Sequence, residues 1–102
     1  MDAQLEEIVS RISGAIHPEK IILFGSRARG GARPDSDYDL LIVYDGPLSK
    51  RDVKITVRRL FSLPGFSMDL FVISSDEFER QKKVVSTVGR VAFLEGVLCH
   101  GR

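Results

Sequence analysis

The sequence predicts an α+β domain in which helices pack on one small mixed β-sheet. Three short apolar runs, at 20–24, 37–44 and 67–73, have the length and composition of β-strands. Helical periodicity and helix-capping residues lie before and between these runs, and this order of elements is typical of a sheet covered by helices. The length of 102 residues suits a single domain, 1–102, with a modest core.

The first predicted helix precedes the first two strands. Its apolar residues recur at helical spacing, and they are Leu5, Ile8, Val9, Ile12, Ala15 and Ile16. Pro18 closes this helix, and the strand at 20–24 then runs into a Gly-Ser turn. One helical turn is predicted at 27–30 and a loop at 31–36. The strand at 37–44 is apolar on both faces beyond its aspartates, which indicates a central strand covered on both sides.

A second helix and a third strand follow. Ser49, with Asp52 three residues later, resembles a capping box and starts the helix. The apolar face of this helix consists of Val53, Val57, Leu60 and Phe61. Pro64 and Gly65 end the helix, and the third strand occupies 67–73.

The last predicted elements are a third helix and a short strand. Ser75 is predicted to cap the helix, because Asp76 and Glu77 then occupy its first turn, where negative charge is favourable. The irregular apolar face of this helix consists of Phe78, Val84, Val85 and Val88. The helix is predicted to continue to about Glu95, and a short edge strand follows at 97–98.

Two aspartates at the start of the second strand point to metal-assisted chemistry. Asp37 and Asp39 are two residues apart, so both project to one side of the sheet and repel each other unless a cation lies between them. Mg²⁺ suits such a pair, since it takes one or two carboxylates and completes its shell with water and substrate phosphates. Gly25 allows the backbone to approach a phosphate, and Ser26 adds a hydroxyl and an N–H. The combination indicates a site for a nucleoside triphosphate.

The same segment resembles the signature of the DNA polymerase β-like nucleotidyltransferase superfamily. That signature is Gly-Ser, a spacer, and Asp-x-Asp at the head of a strand; here it is GSRARG at 25–30 followed by SDYDLL at 36–41, which is most similar to the minimal nucleotidyltransferase (MNT) group. A lone Asp-x-Asp also occurs in glycosyltransferases and in plain turns, but the preceding Gly-Ser makes the pattern specific. The resemblance covers nearly the whole chain and implies the polymerase β-like fold.

A third carboxylate, Asp69, lies in an otherwise apolar strand, where burial is costly unless the group is paired or metal-bound. It matches the third catalytic aspartate of the superfamily in order and setting. The resemblance therefore implies that Asp37, Asp39 and Asp69 bind two Mg²⁺ ions, and that Asp69 polarises the acceptor hydroxyl. Gly25, Ser26 and Arg27 are the predicted nucleotide-binding residues.

Structural alternatives exist for each of these residues. Asp37 and Asp39 would also be compatible with solvent-facing residues that begin a strand, and Asp69 with a strand edge in water or with an arginine partner. Ser26 would also serve as a helix cap. Arg27 is equally compatible with a triphosphate contact and with a solvated loop charge, and Arg29 and Arg33 are weaker candidates than Arg27.

The resemblance also implies a partner protein. Larger members of the superfamily carry a helical domain that presents the acceptor, and 102 residues leave no room for one, so a partner or a homo-oligomer is expected to complete the site. MNT proteins are typically the antitoxins of all-helical HEPN toxins, which they silence by transferring AMP from ATP to a tyrosine hydroxyl. Two other functions remain open at this stage. One is a non-catalytic binding antitoxin, and the other is a nucleotidyltransferase for a small-molecule hydroxyl.

Composition excludes several other classes of protein. A net charge of +1 argues against direct nucleic-acid binding, and the single cysteine, Cys99, rules out an internal disulfide framework. No apolar run approaches the roughly 18 residues of a membrane span, and no signal peptide is evident, so a cytoplasmic protein is expected. A P-loop is absent, and neither histidine has a second ligand at zinc spacing.

Overall fold

The computed structural model describes residues 2–30, 33, 36–61 and 65–102, which contain four helices and four strands. In order they are α1 (Ala3–Ile16), β1 (Lys20–Phe24), β2 (Tyr38–Val43), α2 (Lys50–Arg59), β3 (Met68–Ile73), α3 (Ser75–Gln81), α4 (Val88–Glu95) and β4 (Val97–His100). Most of the predicted loop at 31–36, and the predicted helix-ending Pro64, lie outside the described residues.

The four strands form one mixed sheet in the order β3-β2-β1-β4. Strand β1 is antiparallel to both β2 and β4, whereas β2 is parallel to β3. The predicted α+β class with a small mixed sheet is therefore confirmed. Strand β2 is an interior strand, as its apolar sequence indicated, and residues 40–43 are completely buried.

The two faces of the sheet carry different helices. Helices α1 and α2 cover the face on which Tyr38, Leu40 and Ile42 project. Helices α3 and α4 cover the other face, on which Leu41 and Val43 project. Because side chains alternate along a strand, every odd-numbered residue of β2 and β3 points to the α3–α4 side. This alternation decides where the predicted site residues lie.

The second helix begins as predicted and ends slightly earlier. The Ser49 hydroxyl accepts a hydrogen bond from the backbone N–H of Asp52 at 3.0 Å. The predicted apolar face extended to Leu60 and Phe61, but the helix stops at Arg59 because the next two N–H groups bond three residues back, which tightens the last turn.

The predicted start of the third helix is wrong by one residue. Its N-cap is Ser74, which forms a full capping box with Glu77. Ser75 instead lies in the first turn, and its backbone N–H donates to the carboxylate of Asp45 at 2.9 Å. Asp76 and Glu77 both lie in the first turn of α3, as predicted.

The predicted long third helix is in fact two short helices, α3 and α4. Residues 82–87 separate the two helices, and within this segment Ser86 has a left-handed φ of 69° that cannot continue a helix. Thr87 then caps α4 by accepting a hydrogen bond from the N–H of Arg90 at 3.2 Å. As a result, Val84 and Val85 are 51% and 76% exposed and do not belong to the apolar face predicted for them.

Candidate active site

The three predicted acidic residues lie at one end of the sheet. Asp39 is the register partner of Asp69 across the parallel β2–β3 pair. Asp39 and Asp69 both project to the α3–α4 side, and Asp37, which comes just before β2, is near enough for its charge to act on Asp39. Asp39 is half-buried, whereas Asp37 and Asp69 are exposed. The sheet thus brings a carboxylate from each of two strands together with a third at the strand entrance.

The environment of Asp69 differs from the prediction. Strand β3 is an edge strand of the described sheet and Asp69 is exposed, which agrees with the alternative of a strand edge in water and not with burial within an apolar strand. The aspartate occurs among apolar residues because the strand alternates, with Leu70 and Val72 buried on the opposite face. What the structure does establish for Asp69 is its register opposite Asp39.

The Gly25 turn is pressed against Asp39. Phe24 is the register partner of Asp39, so the chain leaves β1 directly beside this carboxylate. Gly25 has a φ of +76°, and a Cβ atom there would collide with Oδ2 of Asp39 and lie 3.0 Å from its Cγ. Glycine is therefore required at position 25 for two reasons, which are the left-handed backbone conformation and the neighbouring carboxylate.

The predicted helical turn after Gly25 is present. The backbone N–H groups of Ala28 and Arg29 both donate to the carbonyl oxygen of Gly25 at 3.2 Å. Ser26 is half-buried within this turn, at the same end of the sheet as the aspartates. The turn thus places a glycine and a serine beside the carboxylates, as the sequence pattern predicted.

The electrostatics of Asp39 reflect this crowding. Burial raises the pKa of Asp39 above its ordinary value, and the charges of Asp69 and Asp37 raise it further. Arg29 acts in the opposite direction. Three negative groups with one weak opposing cation make this end of the sheet attractive to a bound cation.

Arg27 contacts the residues at the start of β2. The Nε of Arg27 donates to the carbonyl oxygen of Ser36 at 2.9 Å, and its guanidinium carbon lies 3.9 Å from the centre of the Tyr38 ring. Tyr38 belongs to the core beneath α1, on the opposite side of the sheet from the carboxylates. Arg27 thus links the turn after Gly25 to the start of β2. Its predicted nucleotide contact stays a prediction.

Arg29 is the basic residue whose charge acts on Asp39. This is consistent with the turn, because in a helical turn the residue four positions after Gly25 returns above the start of that turn. The order of Arg27 and Arg29 as candidate triphosphate contacts stays a prediction.

The donor chemistry fits Mg²⁺, although the carboxylates do not form a closed ligand set. Within the described residues, no three His, Cys, Asp or Glu side chains converge closely enough to enclose an ion. The carboxylate oxygens of Asp37, Asp39 and Asp69 are hard ligands at one end of the sheet, and the pKa of Asp39 is raised as expected for an uncompensated cluster. An open set of this type suits an ion that retains water and binds substrate phosphates.

A small mixed sheet with three carboxylates at one end, beside a glycine-serine turn, defines the nucleotidyltransferase class of domain. Sequence comparison agrees with this assignment. The profile of the family described as "Nucleotidyltransferase domain" matches residues 3–97. The chain belongs to this family.

Similar proteins include an annotated adenylyltransferase and several solved structures. The protein adenylyltransferase MntA of Aphanizomenon flos-aquae (strain 2012/KM1/D3) is 31% identical over 78 residues, which are 76% of this chain and 52% of that protein. The chain therefore spans about half the length of this curated relative.

Among solved structures, a toxin–antitoxin with AMP-PNP has a TM-score of 0.71 at 18% identity, covering 99% of this chain and 75% of that chain. A putative nucleotidyltransferase from Sulfolobus solfataricus has a TM-score of 0.63 at 28% identity, covering 93% and 75%. A mutant MntA–HpeT toxin–antitoxin has a TM-score of 0.66 at 15% identity, covering 94% and 71%. These likenesses support the polymerase β-like fold predicted from the motif.

Helix lengths also bear on the membrane prediction. Across the described ranges, no helix combines the length and apolar character needed to span a bilayer.

The raised pKa of Asp39 leads to a prediction about stability. A carboxyl whose pKa is higher in the folded chain binds its proton more tightly there, so the folded state loses stability as the pH rises through that pKa. We expect Asp39→Asn to stabilise the metal-free protein at pH 7, by no more than about 1 kcal/mol because solvent screens the site. The gain should disappear near pH 3, where Asp39 is protonated in both states.

Urea titrations in EDTA at both pH values test this. Asp52→Asn is the matched control, because Asp52 lies in the first turn of α2, where its charge is favourable. The control should be neutral or destabilising at pH 7. Equal or lower stability of Asp39→Asn at pH 7 would contradict the predicted effect of crowding.

Proposed function

We propose that the protein is a Mg²⁺-dependent nucleotidyltransferase that transfers AMP from ATP to a hydroxyl of a partner HEPN-family toxin, and thereby acts as its antitoxin. The observation that supports this most directly is the register of Asp39 opposite Asp69, next to the Gly25 turn that contacts Asp39. The acceptor, by family resemblance, is a tyrosine. The similarity to an MntA adenylyltransferase and to toxin–antitoxin structures supports both the donor and the kind of partner.

Each residue has a proposed role. Asp37 and Asp39 would hold Mg²⁺ that arrives with the nucleotide, and Asp69 would contribute to a second ion. When bound, the ions neutralise charge on the triphosphate and on the transferred phosphoryl group. In this proposal Asp69 would also accept the proton of the attacking hydroxyl.

The turn after β1 positions the donor in this proposal. Gly25 lets the backbone approach the phosphates, since no Cβ intervenes between the turn and Asp39. Ser26 offers a hydroxyl and a backbone N–H to a phosphate oxygen. Arg29, whose charge already acts on Asp39, is available to offset negative charge on the phosphates.

The experiment combines the purified protein with Mg²⁺, α-labelled ATP and the protein encoded beside it. The expected result is a mass increase of one AMP or more on the partner, together with pyrophosphate release. The double substitution Asp37→Asn/Asp39→Asn should lose both signals. Asp52→Asn/Asp76→Asn is the matched control, because it removes the same charge from helix first turns far from the site, and it should retain them.

The two alternatives give different results in this assay. A non-catalytic binding antitoxin would form a stable complex with the partner without adding mass, and the double variant would still neutralise the toxin. A small-molecule nucleotidyltransferase would release pyrophosphate with an aminoglycoside and leave the partner unmodified. The presence of all three carboxylates at one end of the sheet favours a catalytic role over binding alone.

A further inference from the structure

Two phenylalanines lie beside the carboxylates on the same face of the sheet. Phe24 is the register partner of Asp39, and Phe71 follows Asp69 by two residues, so both rings project to the α3–α4 side. Their ring centres are 5.5 Å apart at an interplanar angle of 57°. We call these two residues the aromatic pair.

The aromatic pair is only partly covered by the protein. Leu41 and Ile73 on the same face are buried beneath α3 and α4, with exposures of 0% and 5%. Phe24 and Phe71, by contrast, are only half-buried and pack against the margin of that core. The core therefore ends in an apolar surface that directly adjoins three negatively charged groups.

The exposed part of the aromatic pair leaves apolar area that a bound group could cover. Aromatic rings gain free energy from burial, so this area can accept the apolar side of a ligand. An apolar neighbour does not stabilise the charge of a carboxylate. It adds to the burial, and burial raises the pKa of Asp39. A ligand that is apolar on one side and carries a hydroxyl on the other would satisfy both surfaces.

We infer that the aromatic pair receives the ring of an aromatic hydroxyl acceptor, and so determines acceptor specificity; this inference rests on the proposed nucleotidyltransferase function. Same-face residues in a strand are about 6.6–6.8 Å apart, and stacked or tilted rings prefer centre distances of about 4.5–7 Å. A phenol ring in contact with Phe71 can thus bring its oxygen within hydrogen-bonding distance of the Asp69 carboxylate.

The chemical step is balanced with this placement. The phenol oxygen forms a bond to the α-phosphorus of ATP, and the bond from that phosphorus to the bridging oxygen breaks. Pyrophosphate leaves with the electron pair of the broken bond, and the phenolic proton passes to the carboxylate of Asp69. The aromatic pair takes no part in bond making; its role is to hold the ring in position.

The pair also excludes competing acceptors. A sugar or aminoglycoside presents hydroxyls on every face, and those turned toward the rings would lose their hydrogen bonds to water without replacement. An aliphatic hydroxyl on a short chain, as in serine, makes little contact with the rings. The structure thus favours a phenol over both of the other acceptor classes.

The test uses N-acetyl-tyrosinamide, N-acetyl-serinamide and kanamycin as acceptors with Mg²⁺ and ATP. Wild-type protein should use the tyrosine compound best. Phe24→Leu and Phe71→Leu should each raise KM for the tyrosine compound about five- to tenfold, while the Kd for ATP stays within twofold. Phe71→Tyr, which keeps the ring, should restore KM. Phe66→Leu is the matched control, because Phe66 is a half-buried ring packed on Tyr38 on the opposite face.

A second measurement does not depend on transfer. Intermolecular nuclear Overhauser effects between N-acetyl-tyrosinamide and the rings of Phe24 and Phe71 are expected in the presence of a non-hydrolysable ATP analogue. The absence of these effects would overturn the inference, whether or not transfer is observed. A wild-type protein that released no pyrophosphate would instead contradict the proposed function itself. Equal KM changes for the serine and tyrosine compounds would also overturn it. A loss of ATP affinity in the leucine variants would show that the rings serve the nucleotide instead.

Discussion

Replacement of Gly25 by alanine is expected to reduce AMP transfer by about a hundredfold or more. The new Cβ would occupy the space of the Asp39 carboxylate, which must then move away from the turn. Displacement of a reacting or binding group by about 1 Å costs on the order of a hundredfold in rate. The left-handed backbone at this position adds a stability loss of about 1–2 kcal/mol. Pyrophosphate release and urea titration measure the two effects separately.

Gly30→Ala separates the collision from the backbone strain. Gly30 has a similar φ of +81°, but a Cβ there meets nothing within 4 Å among the described residues. This control should lose comparable stability and keep most of its transfer activity. Equal activity losses in the two variants would mean that backbone strain, and not contact with Asp39, explains the effect.

Asp69→Asn is expected to reduce transfer by about a hundredfold to ten-thousandfold, since asparagine cannot accept the proton of the attacking hydroxyl. Nucleotide binding should change much less, because Asp37 and Asp39 still hold the ion that accompanies ATP in the proposed site. Two quantities test this. The initial rate of pyrophosphate release measures transfer, and the Kd for Mg²⁺-ATP measures nucleotide binding.

Asp76→Asn is the control for the loss of one exposed carboxylate. Asp76 lies in the first turn of α3, so its replacement should affect stability slightly and transfer not at all. If Asp69→Asn weakened ATP binding as much as it slowed transfer, Asp69 would be a donor-side ligand and the proposed division of roles would be wrong.

The local part of the site could be predicted because it depends on two short-range rules. Strand alternation places Asp37 and Asp39 on one side, and the Gly-Ser turn follows directly from the end of an apolar strand. The structure agrees with both rules: the turn lies against Asp39, as the φ and the surroundings of Gly25 require.

The remaining part depends on contacts between distant segments, which no local pattern encodes. The register of Asp39 with Asp69 joins strands about thirty residues apart, and apolar composition alone does not fix it. The edge position of β3, which leaves Asp69 in solvent, is likewise a property of strand order. The contact of Arg27 with Tyr38 is also one that no local pattern encodes.

The errors in the third helix have a different cause. Ser86 adopts a left-handed φ that serine rarely takes. The segment between α3 and α4 contains no glycine, so its sequence did not indicate that a helix ends there. Thr87 was the available signal, because a threonine before an apolar run is a common start of a helix. Two adjacent serines, Ser74 and Ser75, were both possible caps from the sequence, and Ser74 is the one that caps α3.

The backbone hydrogen bonds between the parallel strands β2 and β3 determine which side chains lie beside each other in the candidate active site. The strands pair residue by residue from Tyr38 with Met68 to Val43 with Ile73. If β3 slipped by a single position, Asp69 would turn to the α1–α2 side and leave Asp39 without its neighbour. What must be preserved is the alignment of the two strands, and a change that alters it would abolish transfer without removing any functional residue.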